Sequence, residues 1–389
     1  MQISKKSSIQ FVILMGLISL LADVTYEGAR SINGPFLAIL GASATVVGFV
    51  SGFGELLGYG LRFFSGYFAD KTHRYWAISI AGYFLNLFAV PALALAGRWE
   101  IAAALIIAER VGKAVRTPAR DAMLSYATKQ MGAGWGFGLH EAMDQIGAML
   151  GPIIVAVVIY FKGGYKTGFA VLLIPAILAM VVLFIARFLY PRPQDLEIKT
   201  PEFKTKGLNP RFWIYLFGIS LIAAGYADFP LIAYHFKKIG VVSDNLIPIF
   251  YAVAMGVDAI AALLFGRIFD KIGISVLVFA VLLSVFFAPF VFLGNFYMAL
   301  IGAALWGVGM GAQESVMRAA VSELVPSEKR GTAFGMFNAG YGISWFLGSA
   351  LMGILYDISI PYVIIFSVAA QLASIPFFIA AKGKYKAAI

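Results

Sequence analysis

Apolar residues fall in runs of about 20 separated by short polar turns, the length a helix needs to cross a membrane's hydrocarbon core. They do not alternate over stretches of about ten residues, as the strands of an outer-membrane barrel would. The pattern predicts an all-α membrane protein of twelve transmembrane helices. Six are expected over Phe11–Leu37, Thr45–Ala69, Trp76–Ala96, Ile101–Leu124, Gly134–Phe161 and Gly168–Tyr190. Six more follow over Phe212–Phe236, Leu246–Phe269, Ser275–Leu293, Tyr297–Val321, Ala333–Tyr356 and Pro361–Ala380. The polar stretch from Pro191 to Pro210, with its prolines, Lys199, Lys204, Lys206, Asp195, Glu197 and Glu202, reads as a solvated linker. The expected organisation is a first bundle over 1–190, a cytoplasmic linker over 191–210 and a second bundle over 211–389.

Composition agrees with that class. Of 389 residues, 61% are hydrophobic and 13% charged, with a mean hydropathy of +0.86; a soluble domain is nearer a quarter charged. The net charge of +10 does not point to nucleic acid, because the Lys and Arg residues lie between apolar runs rather than on a soluble face. An even number of spans puts both termini on one side. Residues such as Lys71, Arg74, Arg116, Arg120, Arg187, Arg267, Lys271 and Arg318 share that side, whereas only Arg98, Lys162, Lys166, Lys237 and Lys238 fall opposite. Positive charge collects on the cytoplasmic side, so both termini are expected in the cytoplasm, in the inner membrane. The chain has no cysteine, which excludes disulfides and thiolate metal sites. No cleavable signal peptide is expected, since the first apolar run continues into polar helical sequence.

The two halves repeat. Gly66-Tyr-Phe-Ala-Asp70-Lys71 closes the second span and Gly266-Arg-Ile-Phe-Asp270-Lys271 the eighth. Gly136-Phe137-Gly138 with Gly151 is echoed by Ala333-Phe334-Gly335 with Gly348. Two parallel six-helix halves are one architecture of secondary transporters. In the first loop, Gly66 would allow close helix approach and Asp70 could take a helix N-terminus or an arginine, with Lys71 and Arg74 holding the cytoplasmic face.

This loop resembles the signature of the major facilitator superfamily, G-x-x-x-D-[RK]-x-G-[RK]-[RK], departing from it at His73, where glycine is usual. The copy at Gly266, Asp270, Lys271 and Gly273 keeps the glycine but lacks the trailing basic pair. Gly147-Ala-Met-Leu-Gly151-Pro152 looks like the glycine-proline motif of the family's antiporter branches; two glycines four apart allow tight packing, and Pro152 removes a helical hydrogen bond. Span four carries Glu109-Arg110-Val-Gly112-Lys113-Ala-Val-Arg116-Thr-Pro118-Ala-Arg120-Asp121, followed in span five by His140, Glu141 and Asp144. The combination is similar to a prokaryotic subgroup that includes nickel-resistance exporters. The resemblance implies a two-bundle transporter, export as the direction, a toxic cation as one substrate, and a role in proton coupling for Arg110.

Ionisable groups inside spans cost at least about 2.5–3.5 kcal/mol each unless paired or facing water. Asp23, Glu27 and Arg30 share one face of span one, and Glu55 and Arg62 share one of span two. Lys113 joins Arg110 in span four; Asp228, Asp258 and Glu314 lie in spans seven, eight and ten. The family resemblance places spans one, four, seven and ten around the cavity, so Asp23, Glu27, Arg30, Arg110, Asp228 and Glu314 lead as candidates for substrate or proton binding. Glu55, Lys113, Glu141, Asp144 and Asp258 complete the set. Arg116, Arg120 and Asp121 read instead as ties between helices or gate contacts, and Tyr26, Tyr226 and Trp306 as helix packing.

No G-x-x-x-x-G-K-[ST] loop for ATP, no H-E-x-x-H pair and no His-rich cluster occurs. A proton or ion gradient, with no cofactor and no resident metal, is therefore the expected energy source. The leading function is proton-coupled export of a toxic metal or organic cation by a monomer in the bilayer. The alternatives are a symporter or importer of a small organic anion, held by Arg30, Arg110 and Lys113, and a membrane-embedded enzyme.

Overall fold

The computed structural model describes residues 5–128, 133–191, 209–325 and 330–382; the greater part of the expected linker and the turn at 129–132 lie outside them. Fifteen α-helices run in chain order, with no strand among the described residues. In the N-terminal half these are α1 (Lys5–Ile39), α2 (Ala44–Thr72), α3 (Tyr75–Ala92), α4 (Trp99–Thr128), α5 (Ala133–Tyr160), α6 (Gly164–Val171) and α7 (Leu173–Leu189). The C-terminal half holds α8 (Pro210–Gly225), α9 (Phe229–Ile239), α10 (Ile247–Ile272), α11 (Ser275–Ser284), α12 (Phe287–Leu293), α13 (Phe296–Leu324), α14 (Arg330–Ile358) and α15 (Ile360–Ala381).

The excess over twelve comes from breaks inside three spans: α6 and α7 make the sixth, α8 and α9 the seventh, α11 and α12 the ninth. The break in span seven has a local cause. Tyr226 and Asp228 are extended, and Pro230 sits in the first turn of α9, where its missing N–H costs no helical bond. The freed carbonyl of Ala227 accepts the Trp306 indole N–H at 2.8 Å. Counted with their breaks, eleven spans are apolar and long enough to cross a membrane. The twelfth expected span, α4, is long enough but carries Glu109, Arg110, Lys113, Arg116, Arg120 and Asp121, so hydropathy alone does not qualify it.

By their contacts the described residues form two compact units, one within Met1–Asn33 and Leu57–Pro201, the other within Gly34–Leu56 and Glu202–Ile389. In the first, α3 packs along α4, and α5 packs on α6 and α4. Gly82 and Gly112 make the α3–α4 approach possible: a Cβ on Gly82 would stand 2.6 Å from the Arg116 nitrogen, and one on Gly112 would meet the Asn86 backbone. In the second unit α10 lies along α13, and α8 against α14 and α15. The start of α2 is seated there too, with Gly48 and Gly52 against Ser349 and Phe346.

Candidate functional site

In the first unit, α1, α4 and α5 bring together most of the charged residues expected to act. Asp23, Tyr26, Glu27 and Arg30 are all buried on α1. Glu27 lies between two cations: its Oε1 is 4.0 Å from Arg30 Nη1 on the same helix and 3.8 Å from Lys113 Nζ on α4. The Lys113 ammonium also stands 3.9 Å from the centre of the Tyr26 ring. Asp23 stands one turn before Glu27 on the same helix, and its Oδ1 is buried with no hydrogen-bond partner.

Arg110 reaches its neighbour Glu109 at 3.3 Å. Glu109 in turn accepts from the Asn86 amide of α3 at 2.7 Å, with the Glu109 carbonyl taking a second bond from the same nitrogen at 3.1 Å. Nearly two turns on, Arg116 is completely buried, with its guanidinium 4.4 Å from the Tyr83 ring and 5.6 Å from Tyr26. Arg120 donates to Ser19 Oγ of α1 at 2.8 Å and to Asp121 at 2.9 Å, and its Nη1 lies 3.9 Å from Asp144 of α5. His140 Nδ1 is 3.5 Å from the same Asp144 oxygen. Arg116 and Arg120 thus tie helices together.

These contacts set Asp23, Glu27, Glu109, Asp121 and Asp144 among Arg30, Arg110, Lys113, Arg116 and Arg120. Opposite charge close by is what bilayer depth demands, since an unpaired charge there costs several kcal/mol. A further cation can enter such a set at low cost only as another positive charge leaves it.

Gly147 and Gly151 place α5 against α1 at this level. A Cβ on Gly147 would collide with the Leu20 carbonyl and stand 2.9 Å from Asp23 Cβ; one on Gly151 would collide with the Val24 carbonyl and stand 2.8 Å from Gly28 N. α5 continues through the buried Pro152.

The remaining candidates are elsewhere. Glu141 is exposed on α5 and Glu314 exposed on α13; Glu55 is half-buried on α2. Asp228, the residue preceding α9, and Asp258, on α10, are both buried in the second unit. Tyr226 and Trp306 pack as expected: the Tyr226 hydroxyl donates to the Trp306 carbonyl, and both rings are buried. Sequence reasoning missed Asn86 and Tyr83 on α3, whose only trace was a polar and an aromatic residue within an apolar span.

The two signature loops have unequal glycines, and each turns through a residue of positive φ. A Cβ on Gly66 would be 3.4 Å from Pro118 Cβ, an ordinary contact, and one on Gly266 would meet nothing within 4 Å. Close approach therefore does not require glycine at either position. Asp70 accepts from the Tyr75 hydroxyl at 3.2 Å, and Lys71 lies over the Tyr67 ring at 5.9 Å. Asp70, Lys71, Arg74, Asp270 and Lys271 are exposed. His73 adopts the left-handed conformation at φ 53°, and Gly273, its counterpart, has φ 60°. The turn that glycine normally permits is made at His73 without one. The side chains of Gly136 and Phe137 lie outside the described set.

The model of the Major Facilitator Superfamily matches residues 15–294 and 229–387. The chain belongs to the major facilitator superfamily. As a member it is a multi-pass membrane protein and a secondary transporter of a small solute, not an enzyme. An uncharacterized protein of Mycobacterium tuberculosis is 42% identical over 376 residues, 95% of this chain and 92% of that one. An uncharacterized MFS-type transporter of Methanocaldococcus jannaschii is 25% identical over 361 residues, 90% of this chain and 89% of its own. Among solved structures, the nucleoside transporter NupG superposes with a TM-score of 0.75 at 14% identity, across 97% of this chain and all of that one. That likeness is one of fold.

Proposed function

We propose that this transporter exchanges protons for a cationic solute and exports it, with the charged cluster of α1, α4 and α5 as the exchange site. One observation carries the reading: Glu27 is shared by Arg30 and Lys113, cations on two different helices. Ionised, Glu27 holds α1 to α4; protonated, it releases both cations. A proton and a cationic substrate are then competitors for one carboxylate, which is the requirement for antiport. Export is supported by the Gly147, Gly151 and Pro152 motif, which seats α5 on α1 beside Asp23.

The reading takes 1–190 and 211–389 as the two bundles of an alternating-access transporter, joined by the 191–210 linker, with the signature loops at their cytoplasmic ends. It places a monomer in the cytoplasmic membrane with both termini inside. The test is solute flux into proteoliposomes under an imposed pH gradient, across organic cations, divalent metals and organic anions. Cation flux that reverses with the gradient supports the reading; no flux of any cation by folded protein overturns it.

A second reading, uptake of a small organic anion, has its own observation. Arg116 is wholly buried, and its Nε and Nη1 have no hydrogen-bond acceptor. Anion flux driven by inward protons, lost in Arg116→Lys, would favour it.

A further inference from the structure

The geometry points to an organic ammonium ion as the exchanged solute, bound where the Lys113 ammonium now sits. This rests on the cation-exchange reading above and names the class of cation. Two groups touch Lys113 Nζ, the face of Tyr26 at 3.9 Å and Glu27 Oε1 at 3.8 Å, and Asp23, one turn before Glu27 on the same face of α1, lies within electrostatic range of the ammonium. An aromatic face flanked by carboxylates is the donor set that holds ammonium ions, because the ring quadrupole attracts a cation whose hydration is weak. It is a poor set for a transition metal, which prefers imidazole or thiolate; His140, the imidazole of this region, is engaged with Asp144 on α5.

Asp23 supplies an independent indication. It is 6% exposed, and its Oδ1 is buried with no donor. Lys113, held by Glu27 and the ring, leaves that oxygen unused; the positive charge of a substrate ammonium can rest against it. Lys113 is also the more open member of the pair, its side chain 22% exposed against 9% for Glu27. A flexible four-carbon stem lets its ammonium withdraw toward that opening. The guanidinium groups of Arg110, paired to Glu109, and Arg116, stacked on Tyr83, are anchored. Since Glu27 Oε1 already has two cations within 4.0 Å, the entering ammonium replaces the Lys113 charge rather than adding to it. Lys113 is thus a tethered stand-in for the substrate.

The test uses the purified full chain in lipid nanodiscs, with benzyltrimethylammonium and benzylammonium as probes and benzoate and Ni²⁺ as controls. Lys113→Ala is expected to bind both ammonium probes about tenfold more tightly than the unsubstituted protein, the scale of a desolvated cation–π contact. Adding Tyr26→Leu to that variant should remove the gain, whereas Tyr26→Phe should keep most of it. A second measurement needs no variant: saturating benzyltrimethylammonium should raise the reactivity of Lys113 toward a membrane-permeant amine reagent, read by mass spectrometry. Unchanged or weaker ammonium binding in Lys113→Ala, equal effects of Tyr26→Leu and Tyr26→Phe, a gain for benzoate or Ni²⁺ instead, or unchanged Lys113 labelling would each overturn the inference. Proton-coupled flux of some other cation with these results would retire the inference and leave the exchange reading standing. An ammonium-binding gain without any coupled flux would retire the exchange reading, and with it ammonium as the exchanged solute.

Discussion

Asp357, at the end of α14, caps the first turn of α2 through Thr45: its Oδ2 accepts the Thr45 backbone N–H at 2.8 Å and the Thr45 hydroxyl at 2.6 Å. The Ala44 N–H donates to its other oxygen at 3.2 Å, so one carboxylate serves two of the four N–H groups that a helix leaves open. Asp357→Ala is expected to cost about 1–2 kcal/mol, with Asp357→Asn costing less because one amide oxygen still accepts. Thermal unfolding in detergent checks the order Asp357, then Asn, then Ala.

The glycines of α5 and of the signature loops should respond oppositely to the same change. Gly147→Ala and Gly151→Ala put a Cβ into the backbone of α1 and should destabilise by on the order of 1–3 kcal/mol. Gly66→Ala and Gly266→Ala have room for it and should stay within about 0.5 kcal/mol of the unsubstituted protein. Equal losses at all four positions, in the same melting assay, would contradict the packing described here.

The two loop turns make another opposed pair. His73 is held at φ 53° with a side chain that disfavours it, so His73→Gly should stabilise by about 1 kcal/mol. Gly273 has φ 60° with ψ −147°, a region nearly closed to other residues, and Gly273→Ala should destabilise by about 1–3 kcal/mol. Comparing the two melting shifts checks both signs.

Much of this was legible in the sequence because apolar runs and Lys/Arg placement report on membrane crossing directly. The spacing of Asp23, Glu27 and Arg30 gave their common face on α1, and the duplicated loops at Gly66 and Gly266 gave the family. The helix breaks at Leu172, Tyr226 and Val285 were not legible, since hydropathy is blind to a turn of backbone whose side chains stay apolar. Pairing was hidden as well. Nothing in spacing says that Asn86 meets Glu109 on the next helix, because that contact depends on how Gly82 and Gly112 let α3 and α4 approach. Glu314 stood beside Glu27 among the leading candidates in sequence, and Glu141 among the rest; their exposure on α13 and α5 separates them from it.

The central claim is that Glu27 carries the exchanged proton. It is tested most directly by a pH dye trapped in proteoliposomes, with the cation offered from outside and Glu27→Gln compared with the unsubstituted protein. The account predicts cation-dependent proton release by the unsubstituted protein and none by Glu27→Gln, at equal incorporation of folded protein. Full proton release by Glu27→Gln would contradict it.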